Sequence, residues 1–107
     1  MATSREYKDF ISDQLSGMDG VFFRPMMGEF ILYRHDKIIG GIYDDRFLVK
    51  ITASSLELLP GAARELPYEG AKEMLLVERV EDRAFLEKLL EAVAADLPAP
   101  KKSKRGS

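Results

Sequence analysis

The chain has 107 residues, of which 46% are hydrophobic, and this length supplies one hydrophobic core but not two. The absence of cysteine and the single histidine exclude disulfides, thiol catalysis and an imidazole-rich metal site, and no cofactor is indicated. All 18 acidic residues but only 12 of the 16 Lys and Arg lie in residues 1–100, so this part carries a formal charge of −6, which argues against a duplex-DNA reader. No apolar run approaches the roughly 20 residues that cross a bilayer, and the start is too polar for a signal peptide, so we expect a cytoplasmic protein without a membrane span.

The first predicted element is a helix from Thr3 to about Gly17. The spacing Thr3-x-x-Glu6 predicts a capping box at its start, and Gly17 predicts its end. Apolar residues recur at helical spacing and predict one packed face. They are Tyr7, Phe10, Ile11 and Leu15.

Four strands are predicted between residues 21 and 51. The first, residues 21–24, precedes Pro25, which cannot donate to a strand ladder and therefore indicates a sheet edge. The others cover residues 30–33, 38–43 and 47–51. In the last of them Phe47, Val49 and Ile51 point to one face, as in a sheet with one covered face. Gly40-Gly41 in mid-strand predicts a bulge or a close approach by another element.

The strands at residues 30–33 and 38–43 carry large apolar groups on both faces, more than one layer of helices covers in a small domain. We therefore predict a second apolar face, which is a candidate contact of a homodimer. It is formed by Ile31, Tyr33, Ile39 and Tyr43.

The rest of the chain completes an α+β domain over residues 1–98. Ser54-x-x-Glu57 predicts a short helix, residues 60–72 an irregular connection, residues 74–77 a buried strand, and residues 81–97 a long helix. This order predicts two layers: an antiparallel sheet of about five strands, with an N-terminal helix, a C-terminal helix and one short middle helix. Residues 99–107 are small, polar and basic, and we expect a disordered tail.

Five motifs stand out along the chain: Arg24-Pro25-Met26-Met27-Gly28, Tyr33, Gly40-Gly41, Asp44 to Lys50, and Pro67-Tyr68-x-Gly70-Ala71-Lys72-x-Met74. In order and spacing over about residues 3–98, they resemble the signature of the TfoX/Sxy N-terminal domain family. The resemblance implies a small α+β fold similar in layout to type III secretion chaperones. The founding member of that family is a positive regulator of competence genes that acts with an activator of the cyclic-AMP receptor type, so the resemblance implies a regulatory or interaction module. Regulator members carry a C-terminal domain, whereas this chain resembles a stand-alone N-terminal domain.

One set of residues forms a candidate surface for a partner or an anion. Thioethers adapt to a partner surface, and cations near the amides of a glycine turn suit phosphate or carboxylate. The alternatives are methionines that fill the core, solvated ion pairs, an Asp44-Asp45 pair that serves turn chemistry, and a tyrosine that packs over the sheet edge. The set is Arg24, Met26, Met27, Gly28, Asp45, Arg46, Lys50, Tyr68 and Lys72.

Three functions remain open from the sequence. The first is a non-enzymatic interaction or regulatory module, homodimeric, with a protein partner such as a transcription activator. The second is a weak or indirect nucleic-acid association through the tail, for which a solubilising end is the alternative. The third is an enzyme or binding protein for a small anionic ligand near Arg24, Arg46 and Lys72. The tail cations are Lys101, Lys102, Lys104 and Arg105.

Overall fold

The computed structural model describes residues 3–98, which form three helices and six antiparallel strands in two layers. This confirms the α+β class, with one strand more than predicted. Within these residues no helix combines the length and apolar composition needed to span a bilayer. The predicted tail lies outside the described residues. In chain order the elements are α1 (Arg5–Gln14), β1 (Val21–Met26), β2 (Glu29–Arg34), β3 (Lys37–Tyr43), β4 (Arg46–Val49), α2 (Ala53–Leu58), β5 (Arg64–Glu65), β6 (Met74–Leu76) and α3 (Arg83–Asp96).

The sheet has the strand order β1-β2-β3-β4-β6-β5. β1 is an edge strand that contains Pro25 opposite Phe30, so the edge predicted from the proline is confirmed. The other edge is β5, a two-residue strand inside the segment predicted as an irregular connection. It pairs with β6, and the amide of Leu76 also donates to the carbonyl of Ala63. A pairing this short has no periodicity that a sequence pattern can reveal.

The helix caps differ from the predicted ones. α1 is capped by Ser4, whose Oγ accepts from the amide of Tyr7, so the predicted capping box at Thr3 is wrong. The hydroxyl of Thr3 instead donates to Oε1 of Glu29 over 2.6 Å, a contact distant in sequence. The predicted box at residues 54–57 is also wrong, because Thr52 and Ser55 form the box that opens α2.

The hydrophobic core lies between the three helices and one face of the sheet. Phe47 and Val49 are fully buried in it, and Ile51 packs against it, as the alternation in the sequence predicts. Phe10 lies at the margin of its helix face with 39% of its surface exposed. The core is made of Ile11, Leu15, Met18, Leu32, Ile39, Ile42, Phe47, Val49, Leu59, Leu75, Val77, Leu86, Leu89, Leu90, Val93 and Ala94.

Candidate interaction surface

The sheet face opposite the three helices, termed the second face, carries six of the candidate residues: Arg24, Met26, Ile31, Tyr33, Tyr43 and Arg46. Alternation along the paired strands places every second side chain there. Phe22 and Ile38 on this face are 41% and 38% exposed, whereas Leu48 and Tyr43 are buried at 0% and 3%. The face is thus covered over β4 and over the Tyr43 end of β3, and it is open at Phe22 on β1 and at Ile38 on β3. It is formed by Phe22, Arg24, Met26, Ile31, Tyr33, Ile38, Gly41, Tyr43, Arg46 and Leu48.

A β-bulge decides which isoleucine reaches the second face. Tyr33 pairs with Ile38 and Leu32 pairs with Gly40, so Ile39 is the extra residue in β3. Two successive residues of a bulge fall on the same side of the sheet, which breaks the alternation. Ile39 is therefore fully buried in the core. The prediction that it belongs to the second face is wrong, and Ile38 takes its place.

The floor of the second face is formed by Tyr43 over a glycine. A Cβ at Gly41 would lie 2.7 Å from Cε2 of Tyr43 and 2.5 Å from the carbonyl oxygen of Phe30, so only glycine allows this packing. Burial is the main cause that raises the pKa of Tyr43 to about 12, and the neighbouring Tyr68 and Glu29 add to it. The Tyr43 hydroxyl therefore stays protonated to well above neutral pH. The contacts around Gly41 confirm the close approach predicted at the glycine pair.

Residues 66–73 fold over the part of the second face formed by β4. Pro67 is buried, and the ring of Tyr68 lies 6.0 Å from that of Tyr43. Arg46 ties this segment down, since its Nη1 donates to Oε1 of Glu65 over 2.7 Å and its Nη2 to the Pro67 carbonyl over 3.5 Å. Its Nε donates to the carbonyl of Tyr43 over 3.0 Å. Arg46 therefore serves as a clamp that holds this segment on the sheet, and a role of Arg46 in binding an anion stays a prediction.

A groove of about 290 Å³ runs between this segment and the strands, and we name it the lysine groove. Six predicted residues meet in it: Met26, Lys50, Tyr68 and Lys72 from the candidate partner or anion surface, and Ile31 and Tyr43 from the candidate dimer face. Four more were not predicted. The complete lining is Met26, Ile31, Ile38, Tyr43, Lys50, Pro67, Tyr68, Ala71, Lys72 and Met74.

The residues that sequence reasoning missed have two sources. Ile38 enters through the bulge next to Gly40-Gly41, and a glycine pair in mid-strand is the sequence signal for such a change of face. Pro67, Ala71 and Met74 enter because the 66–73 segment turns back over the sheet. No periodic signal in the sequence predicts that path.

A second depression adjoins the lysine groove and shares three of its residues. It has a volume of about 470 Å³. Lys50, Lys72 and Met74 belong to both, so the two lysines stand at the junction. Among residues 3–98 no carboxylate lies within 4.0 Å of either ammonium group. The remaining lining residues of the second depression are Ile51 and Glu73.

Beside the groove, β1 and β2 present an aromatic pair. The rings of Phe22 and Tyr33 stack with centroids 4.8 Å apart and an interplanar angle of 5°. The guanidinium carbon of Arg24 lies 5.9 Å from the centroid of Tyr33. Tyr33 is half-buried, and the pair continues the apolar surface of Ile38 to the edge of the sheet.

The other candidate residues build turns. Met27 and Gly28 connect β1 to β2 with positive φ angles of 51° and 86°, and Met27 is 95% exposed. Asp44 and Asp45 connect β3 to β4, also at positive φ, as the turn interpretation predicts. Oδ1 of Asp45 accepts from the amide of Ser4 over 2.7 Å, which holds the start of α1 at this corner. These four residues therefore serve as turns outside the groove.

Comparison with known proteins shows a relative of this chain. No family model matches it, and no solved structure matches it. It is 36% identical over 105 residues to a protein of Spirochaeta aurantia described as an uncharacterised 12.7 kDa protein in the trpE 5′ region. The match covers 97% of this chain and 91% of the relative. The chain therefore belongs to the same family as this Spirochaeta aurantia protein.

Proposed function

We propose that this protein is a small non-enzymatic interaction module that binds a protein partner through the second face. The observation that carries the proposal is the placement of all three helices on the opposite face, which leaves Phe22 and Ile38 exposed over β1 to β3. The half-buried Tyr33 lies between Phe22 and Ile38, and a continuous apolar surface of this kind is typical of interaction sites, whereas singly scattered apolar side chains are not.

The roles of the acidic residues near this surface support a binding module rather than an enzyme. Oε1 of Glu29 accepts from the amides of Thr3 and Asp44, and the Asp45 carboxylate accepts from the amide of Ser4. General acid and base catalysis needs a titratable group within reach of a substrate proton. Both carboxylates are instead engaged in holding the strand ends and the start of α1 together.

A regulatory role follows from the resemblance to the TfoX/Sxy N-terminal domain. We propose that the partner is a transcription activator and that the protein acts in the cytoplasm, in the regulation of competence-type genes. Homodimerisation is part of the same proposal. The aromatic pair of Phe22 and Tyr33 at the edge strand supports a contact between two copies, because it extends the apolar surface to the rim of the sheet.

A small anionic ligand is the second candidate, favoured by the meeting of Lys50 and Lys72 in the lysine groove. The site differs from the one predicted near Arg24, Arg46 and Lys72, because Arg46 donates to Glu65 and to two carbonyls. Association of nucleic acid with the tail is a prediction about residues outside the described part of the chain.

The proposal is tested with two matched variants. Ile38→Glu places a charge on the second face, and Leu56→Glu places the same charge on α2, where Leu56 is similarly exposed at 44%. The wild type and both variants are immobilised, and the proteins captured from a native lysate are quantified by mass spectrometry. We expect a partner that is retained by the wild type and Leu56→Glu and lost with Ile38→Glu. An identical set of captured proteins for all three chains would contradict the use of the second face.

A further inference from the structure

The charge of the lysine groove contrasts with that of the domain. Its lining contains Lys50 and Lys72 and no carboxylate, although residues 1–100 carry a formal charge of −6. The rest of the lining is apolar or aromatic, with Met26, Ile31 and Ile38 along the strands. Such a surface complements a ligand that is apolar along its length and negatively charged at one point.

The dimensions of the groove indicate the kind of ligand. It reaches from Met26 on β1 to Met74 on β6, across four spacings between neighbouring strands. At about 4.8 Å per spacing this is roughly 19 Å. An extended peptide of about six residues or a helix of about 13 residues covers this distance. The groove is also open on the side of Ile38, as a peptide site is, whereas small-molecule sites enclose most of their ligand.

From this we infer that the lysine groove binds a short segment of a partner protein, in which apolar side chains flank a carboxylate that lies over Lys50 and Lys72. The inference rests on the proposed function and adds the chemistry of the partner to it. The apolar side chains would pack on Ile31, Ile38 and Met74. The carboxylate would accept hydrogen bonds from the two ammonium groups at the junction with the second depression.

Charge disfavours three other occupants. The tail of the same chain carries four cations, which the lysines repel. A second copy that docks with its own groove against this one brings the same lysines and a lining without a carboxylate, which leaves the proposed homodimer contact to the aromatic pair at the sheet edge. A nucleic acid is attracted by the two lysines but repelled over a longer range by the acidic domain.

The test uses the full chain and a phage-displayed library of random peptides of about 12 residues. A peptide of this length spans the groove when it is extended and nearly spans it as a helix. Enriched peptides are synthesised, and their affinities are measured by fluorescence anisotropy for the wild type and for two charge reversals. Lys72→Glu alters the groove, and Lys88→Glu makes the same change at another exposed lysine, on α3. We expect enriched peptides to share an Asp or Glu between apolar residues. Lys72→Glu should weaken binding about tenfold or more and Lys88→Glu by less than about twofold, because only the first reverses a charge that contacts the ligand.

A charge exchange completes the test. Peptides in which the shared carboxylate is replaced by lysine should lose affinity for the wild type and regain it for Lys72→Glu. The inference is wrong if the library yields no binder, if enriched peptides lack the carboxylate, or if Lys72→Glu leaves affinity unchanged. It is also wrong if oligothymidylate displaces the peptides, or if the groove is closed in a dimer that Lys72→Glu dissociates. If the enriched peptides are neutral or basic and Ile38→Glu abolishes their binding, the second face binds a partner without a carboxylate. The inference is then wrong, while the proposed function stands.

Discussion

Tyr43 packs directly over Gly41, so that a Cβ on the glycine would lie 2.7 Å from Cε2 of the ring. That Cβ would also lie 2.5 Å from the carbonyl oxygen of Phe30. Because a backbone atom cannot move aside as a flexible side chain does, the contact makes residue 41 a glycine position by sterics alone. The floor of the lysine groove depends on this packing.

Gly41→Ala is expected to lower the free energy of unfolding by about 3 kcal/mol, since it overpacks a site bounded by backbone. Gly17→Ala is the control, because Gly17 has φ of +85° and nothing within 4 Å of a Cβ, so that only backbone strain of about 1 kcal/mol is expected. Urea denaturation of both variants measures the difference. Equal losses for the two would contradict the close packing of Tyr43.

Arg46→Met is expected to lower the free energy of unfolding by about 1 to 2 kcal/mol, because the half-buried pair with Glu65 and two bonds to carbonyls are lost. Hydrogen exchange of amides in residues 64–71 should become faster. Arg79→Met removes a more exposed pair with Asp82 and should cost less than about 1 kcal/mol. If the exchange of residues 64–71 is as slow in Arg46→Met as in the wild type, Arg46 is not their clamp.

Tyr43 predicts an alkaline loss of stability. The pKa of its hydroxyl is raised to about 12 in the folded protein, chiefly by burial, against an ordinary value near 10. Protonation therefore favours the folded state, and this contribution is complete below about pH 10 and is lost as the pH rises toward 12. We expect Tyr43→Phe to have a smaller decline in stability over this interval. Near-ultraviolet absorbance of tyrosinate should also lose its most alkaline step, and an unchanged titration would contradict the assignment.

The lowered pKa of Asp82, at the start of α3, predicts a loss of stability at acidic pH. The amide of Phe85 donates to its carboxylate, and Arg79 donates as well, and both lower its pKa in the folded protein. The stabilisation is thus present above the ordinary pKa of an aspartate and is lost as the pH falls through the folded value. Asp82→Asn keeps a good N-cap without the charge. We expect the difference in urea midpoint between wild type and Asp82→Asn to shrink as the pH is lowered, and a constant difference would refute the linkage.

The homodimer proposed above predicts a mass of two chains by light scattering at high micromolar concentration. Phe22→Glu should give the mass of one chain, because it places a charge in the aromatic pair at the sheet edge. Phe10→Glu on α1 is a closely matched control, since the two phenylalanines are 39% and 41% exposed. It should leave the mass unchanged. A wild type that is monomeric at all concentrations would end the proposal of a homodimer.

Much of the fold is predictable because its signals are local. Phe47 and Val49 alternate as a strand with one covered face requires, and both are buried. The caps were less predictable, because Thr3 and Ser4 are both good capping residues. The choice between them depends on Glu29, which is 26 residues away and accepts from Thr3. Local spacing cannot weigh that contact.

The sequence by itself determined the α+β class, the helix faces, the edge at Pro25 and the irregularity at Gly40-Gly41, because each depends on spacing or on the stereochemistry of single residues. Only the tertiary structure decided what the second face is. The bulge turned Ile39 inward and Ile38 outward, and the path of residues 66–73 brought Lys72 beside Lys50. Both depend on how distant segments pack on one another, and packing between segments leaves no period in the sequence that connects them.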